Sequence, residues 1–189
     1  MNAIPYTVER RPDTGVNNVQ LGMWLFIASE VMLFGGLFSA YFTLRAGAPS
    51  PWLPLRDHLA GAIAATIPLL AGTALTATTV RRLDRYRLSL ALAVILALSF
   101  CAWKALEYQE LFRAGHSPAS STLMATFFLL TGVHVLHVLG GIAATVWIVL
   151  RGGAVPDRGP TINRLRALTR YWTFVDIVWL VLLVLLYVV

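Results

Sequence analysis

Six ionisable side chains lie inside stretches that otherwise read as hydrocarbon: Glu30, Lys104, Glu107, His134, His137 and Asp176. Glu30 sits in SEVMLFGG, with LGMWLFIA before it and LFSAYF after it. His134 and His137 form HVLH, an i, i+3 pair on one helical face. Side chains of these types could relay protons, ligate a metal, hold a lipid headgroup or hydrogen-bond between helices. A charge at a bilayer centre costs about 2.5–3.5 kcal/mol on insertion scales, so each demands a partner or neutralisation. A metal centre needs three or more ligands and an outer layer of hydrogen bonds. Only His58 and His116 remain to supply one, both near the ends of apolar runs. Hydrogen-bonding core histidines are therefore the reading adopted, and no metal ligand is assigned. No nucleophile-and-base triad, phosphate loop or CxxC occurs, so no catalytic residue is assigned either.

Five apolar stretches must position these groups, at 21–44, 58–80, 88–112, 119–150 and 171–189, each long enough to cross a bilayer. Hydrophobic residues make up 58% of the 189 and charged ones 13%, too few to cover a water-soluble fold of this length. The expected fold is all-α: a polytopic bundle of five transmembrane helices, one domain over 21–189, behind a cytoplasmic arm at 1–20. Of the 15 lysines and arginines, eleven fall on the side holding that arm, the RRLDRYR loop at 81–87 and the 151–170 segment. Three fall on the other side, and Lys104 lies within a span. This asymmetry places the N-terminus in the cytoplasm and the C-terminus outside. The net charge of +6 is thus topological and not a nucleic-acid footprint. Cys101, the single cysteine, reads as a small buried hydrophobe.

Small residues recur at helical spacing in two spans: Gly22, Ser29 and Gly36 in the first, and Gly141 and Ala144 beyond His137 in the fourth. Both faces are expected to pack on other helices. Pro68 should kink the second span modestly. Pro and Gly break the 45–57 and 151–163 linkers, and RLRALTR is expected at headgroup level before the last span.

Within this frame the depths can be compared. Glu30 lies about 14 Å in from the cytoplasmic side, and His137, on a span running the other way, about 20 Å. The two share a layer within the uncertainty of the boundaries, and a Glu–His contact would satisfy both. Glu30 alone reads either as a protonated acid between helices or as a proton relay or headgroup contact. Lys104 to Glu107 is i, i+3, and with Glu110 it reads as an intrahelical ion pair or interface cluster. Asp176 is expected to pair with Arg170 or Arg166.

Four segments in order, LGMWLFIASEVMLFGGLFSAYF, ALEYQELF, FFLLTGVHVLHVLGGI and YWTFVDIVWLVLLVLLY, resemble subunit III of haem-copper terminal oxidases, in the short five-helix bacterial form. The resemblance implies helices divided by a V-shaped cleft that holds phospholipid. It implies a subunit without haem or copper, docked on catalytic subunit I beside subunit II in a bacterial inner membrane, and a place in a respiratory supercomplex. Its implied role is to stabilise subunit I and sustain proton uptake in a cytochrome c oxidase. The family's buried reactive glutamate falls on Glu30, its histidines on His134 and His137, its E-Y pair on Glu107 and Tyr108, and its Y-W-x-F-V-D on Tyr171, Trp172, Phe174 and Asp176. Thr173 replaces the family's usual His, and Lys104 its usual Gln, which leaves lipid and partner contacts open. A quinol oxidase subunit, an accessory subunit of a nitric-oxide reductase and a small ion or solute transporter remain as alternatives.

Overall fold

The computed structural model describes residue 6, residues 8–49, residue 52, residues 55–151 and residues 158–188. Five helices carry the chain: α1 (Asn18–Ala46), α2 (Leu59–Thr79), α3 (Tyr86–Arg113), α4 (Thr122–Arg151) and α5 (Arg158–Leu183). A π-helical turn, Val184–Val188, continues α5. All five are long and apolar enough to cross a membrane, as the hydropathy pattern predicts. The chain is a multi-pass membrane protein.

Local chemistry sets the ends. The Asn17 side chain caps α1 by accepting from Gln20 N at 2.9 Å. Ser121 does the same for α4, accepting from Met124 N at 3.1 Å. α3 ends where Gly115 takes φ +82°, a left-handed conformation that glycine adopts without steric cost, and His116 N then donates back to Leu111 O at 2.8 Å. In the arm, the Arg11 guanidinium chelates Asp13 and holds its carboxyl down at about 2. Inside the helices, hydroxyls turn back onto carbonyls one turn earlier, as Thr66 does to Ala62 O and Thr145 to Gly141 O, which pairs them without leaving the helix. α2 runs through Pro68 without interruption.

Helices α2 to α5 close a ring: α2 packs on α3 and α5, and α4 packs on the same two from the opposite side. Phe100, Phe127, Leu130, Trp179, Leu182 and Tyr187 fill its centre. α1 stands outside the ring and leans on α5 and α4, burying only Phe34 and Tyr41 completely. An apolar groove runs along each side of α1. One, of about 560 Å³, lies against α5. The other, of about 430 Å³, lies against α4 and α5.

The structure moves one boundary and shows where the small-residue faces lie. The last helix begins thirteen residues before position 171, at Arg158, so RLRALTR is the amphipathic first half of the same helix. Leu165, Ala167 and Leu168 are buried against the ring while Arg164 and Arg166 point outward. The small residues of α1 do not pack within the chain: a Cβ at Gly22 or Gly36 would meet nothing within 4 Å. α1 touches its neighbours through Phe34 and Tyr41, a large-residue seam. On α4 the expectation holds, since Gly141 is buried against α5. Cys101 is half-buried against the core. Pro51, Pro54 and 152–157 lie outside the described residues.

Candidate functional site

α1 and α4 are joined by the pair foreseen from depth. Glu30 Oε2 lies 2.8 Å from His137 Nε2, with side chains 14% and 15% exposed. The other ring nitrogen, Nδ1, lies 2.7 Å from Val133 O. A carbonyl oxygen only accepts, so Nδ1 carries a hydrogen. Nε2 and Glu30 then hold one proton between them, as acid and neutral imidazole or as carboxylate and imidazolium. Either way the pair has no net charge, which is what an apolar layer tolerates. Tyr171 of α5 steadies it by donating its hydroxyl to His137 O at 2.7 Å, and the Phe34 ring closes over His137 at 5.1 Å. Phe26 and Ile27, one turn before Glu30, line different grooves, so the pair sits on the strip of α1 that separates them.

His134 has other company. It is wholly buried, its ring stacked on Trp179 at 5.3 Å and edge-on to Phe100 at 5.7 Å, and neither nitrogen has a hydrogen-bond partner among the described residues. HVLH therefore does not present two rings to one centre: His137 serves α1 and His134 the aromatic core. Among the described residues, His, Cys, Asp and Glu nowhere gather in threes as a metal would require.

A second polar cluster lies deeper in the ring. Lys104 is 1% exposed and pairs with Glu107, 4% exposed, one turn on in α3. Tyr187, from the π turn, accepts from Lys104 Nζ at 2.9 Å and donates to Glu107 Oε1 at 2.7 Å. The rings of Tyr108, Phe127, Trp179 and Tyr187 surround the ammonium at 5.1–5.6 Å. Cation–π contact and charge-assisted hydrogen bonds together offset the loss of hydration. Glu110 parts from this cluster, faces outward at 67% exposure and lies 3.9 Å from His58. Tyr108 donates to Thr131 Oγ1 at 2.7 Å, because the Thr131 hydrogen is already committed to Phe127 O.

Trp172 donates to Thr145 Oγ1 at 3.2 Å and fills the space that Gly141 leaves open. Asp176 corrects the sequence reading. Among the described residues no arginine pairs with it, and its Oδ1 is buried without a partner. Arg166 and Arg170 lie about 2.8 and 1.7 turns earlier on α5, and Arg170 instead stacks over Trp24 at 5.3 Å. Tyr187, Thr145 and the Thr66 hydroxyl that accepts from Trp179 Nε1 at 2.8 Å escaped the sequence reading. Isolated hydroxyls and a terminal tyrosine give no spacing signal.

This arrangement has relatives. The family model for cytochrome c oxidase subunit III matches residues 12–189. A probable cytochrome c oxidase subunit 3 from Mycobacterium tuberculosis is 33% identical over 178 residues, covering 90% of this chain and 88% of its own. The heme-copper oxidase subunit I+III of Aeropyrum pernix is 33% identical over 189 residues, 92% of this chain and 23% of that longer protein. The cytochrome bo(3) ubiquinol oxidase subunit 3 of Pseudomonas aeruginosa is 27% identical over 188 residues, 93% of this chain and 86% of its own. By the extent of these matches and the five-helix fold that accompanies them, the chain belongs to the cytochrome c oxidase subunit III family.

Proposed function

We propose that this chain is the non-catalytic subunit III of a respiratory haem-copper oxidase in a bacterial inner membrane, its N-terminus cytoplasmic. The catalytic subunit I, with its haem and copper, reduces oxygen to water and pumps protons, with subunit II in the same complex. This chain stabilises subunit I and sustains its proton uptake. The fusion of subunits I and III into one chain in Aeropyrum supports the partnership. The observation that carries the role within this chain is the Glu30–His137 pair, a one-proton, uncharged link on the strip of α1 between two apolar grooves. The grooves beside α1 take phospholipid chains and serve as the lipid cleft. Trp172 and Asp176 on α5, with Glu107, Tyr108 and His134 in the ring, serve to hold the helices that frame this strip.

Gentle affinity purification from native membranes, with mass spectrometry of partners and a reduced-minus-oxidised spectrum, tests the assignment. Co-purification with a haem-copper subunit and a copper-binding subunit is expected. Recovery of a colourless chain alone, active in transport, overturns it. The ubiquinol oxidase relative favours one second reading, a quinol oxidase subunit. Activity with quinol and none with reduced cytochrome c in the purified complex selects it.

A further inference from the structure

Three consecutive residues of the π turn hold three different parts of the molecule. Leu185 O accepts from the Tyr41 hydroxyl of α1 at 2.7 Å, and Leu186 O accepts from Leu55 N at 3.1 Å. The Tyr187 hydroxyl enters the buried pair, accepting from Lys104 Nζ at 2.9 Å and donating to Glu107 Oε1 at 2.7 Å. Leu186 and Tyr187 are both buried. A stretch of backbone this short cannot shift one of these contacts and keep the other two. π turns are rare beside α turns and gather at functional sites. Val184–Val188 therefore needs something to hold it in that geometry, and Tyr187 supplies the hold. A π turn takes more residues per turn than an α turn, which keeps Tyr187 back on the face of Trp179, the two rings 6.5 Å apart. On that face stand Lys104, its ammonium 5.3 Å from the Trp179 ring, and its partner Glu107.

What the turn holds on its other side matters as much. Tyr41 is buried, receives Arg45 Nη1 on its hydroxyl at 2.9 Å and packs edge-on against Trp52 at 5.7 Å. It anchors the end of α1 that lies beyond Glu30. Leu55 stands directly before a short 3-10 turn, Arg56–His58. Asp57 and His58 line a cavity of about 200 Å³ at the end of the bundle away from the arm, with Trp103, Glu107 and Glu110. Glu107 thus belongs both to the buried pair and to the cavity wall, and its wall neighbour Glu110 is 67% exposed. The contacts close a circuit: cavity, Glu107, Tyr187, Leu186 O, Leu55, and back to the cavity through Asp57 and His58.

We propose that the π turn is a two-state coupling element, which passes the state of the Lys104–Glu107 pair to the end of α1 and to the 55–58 segment. With the pair intact, Tyr187 is held twice and the turn stays π, its carbonyls aimed at the Tyr41 hydroxyl and Leu55 N. With Tyr187 released, the turn relaxes to α and its carbonyls swing away. α1 then loses its anchor at this end and pivots on the Glu30–His137 pair. The backbone of one turn is the element with two arrangements, and both ends of the coupling bias it. The device stands whichever oxidase the chain serves, since every contact in it lies within this chain.

Amide exchange of the full chain in detergent, read segment by segment, tests the coupling. Tyr187→Phe keeps the ring and removes both hydroxyl bonds. Exchange should rise about tenfold in residues 38–46 and 55–58, the effect of one lost hydrogen bond, although the Tyr187 hydroxyl bonds to neither segment. Lys104→Met with Glu107→Leu removes both partners of Tyr187 and strands no charge, so the ring of helices keeps most of its stability. The same two segments should still exchange faster in that variant, which separates coupling from stability. Leu130→Ala is the contrast: it loosens the core away from the turn and should speed exchange in α2 to α5 without singling out 38–46 and 55–58. Unchanged exchange in those segments with Tyr187→Phe, or with the double substitution should Tyr187→Phe not fold, overturns the proposal. A rise that Leu130→Ala reproduces segment by segment overturns it too, because the effect is then general loosening.

Discussion

Between Glu30 and His137 there is room for one proton, and the resulting neutrality decides what a substitution does. Glutamine can donate an N–H to Nε2 in place of a carboxylic acid, so Glu30→Gln should keep the helices joined and the complex assembled. Glu30→Ala strands a buried ring nitrogen and should cost about 1–3 kcal/mol in detergent unfolding. If Glu30→Gln abolished assembly instead, the ionised, charge-paired form would be the native one. The second cluster obeys a different logic, because Lys104 and Glu107 are both shut from water. Removing one partner, as in Lys104→Met or Glu107→Leu, leaves a lone buried charge and should destabilise by about 3–5 kcal/mol. The double substitution removes both charges and should recover most of that loss, a non-additivity that a denaturation cycle reads directly. Additive effects would show that the two do not act as a pair. Lys104–Glu107 was legible from the sequence because both ends of the contact lie one turn apart. Glu30–His137 was legible only through depth, 107 residues apart. Tyr187 was not legible, since nothing near it in the chain marks a partner 80 residues away.

Where helices pack, glycine separates two kinds of surface. A Cβ at Gly141 would stand 2.8 Å from Trp172 Cζ2 and 2.9 Å from Tyr171 Cε1, ring atoms held by their own hydrogen bonds. Gly141→Ala should therefore force α4 from α5 and cost about 1–3 kcal/mol. On α1, Gly36 faces open space, and Gly36→Ala should stabilise the isolated chain by about 0.5–1 kcal/mol through helix propensity alone. Thermal unfolding of the two variants side by side checks the contrast, and equal shifts would contradict it. Both glycines have the same sequence signature, a small residue in a helical repeat. The pattern gives a face but not its partner, which within this chain is α5 for the α4 face and none for the α1 face. The start of α5 was obscured for a related reason. Its first half alternates arginines with buried leucines, so mean hydropathy falls although the amphipathic period persists. Asp176 belongs here too: proximity in sequence to Arg170 suggested a partner, whereas that guanidinium stacks over Trp24.

The molecule as a whole is a ring of four helices with a fifth held on by few bonds. Among the described residues, the polar contacts that tie α1 and its following loop to the rest include Glu30 to His137, the Tyr41 hydroxyl to Leu185 O at 2.7 Å, and Leu55 N to Leu186 O at 3.1 Å. The last two use carbonyls in the π turn that continues α5. In the apolar seam only Phe34 and Tyr41 are completely buried, with Met23, Ile27, Leu37 and Phe38 partly buried against the core. Regions with few buried contacts open at lower free energy than the fold around them. Amide exchange of the full chain in detergent should therefore show α1 exchanging well before α2 to α5. Glu30→Ala combined with Tyr41→Phe should speed exchange in α1 alone, leaving Leu130, Trp179 and their neighbours protected. Uniform exchange across all five helices would mean that α1 belongs to the same cooperative unit. If α1 does open separately, whatever covers its exposed face and fills its grooves, lipid or catalytic subunit, supplies the missing contacts. Adding that component should then slow exchange in α1 and leave the ring unchanged, since bound material stabilises only what it touches.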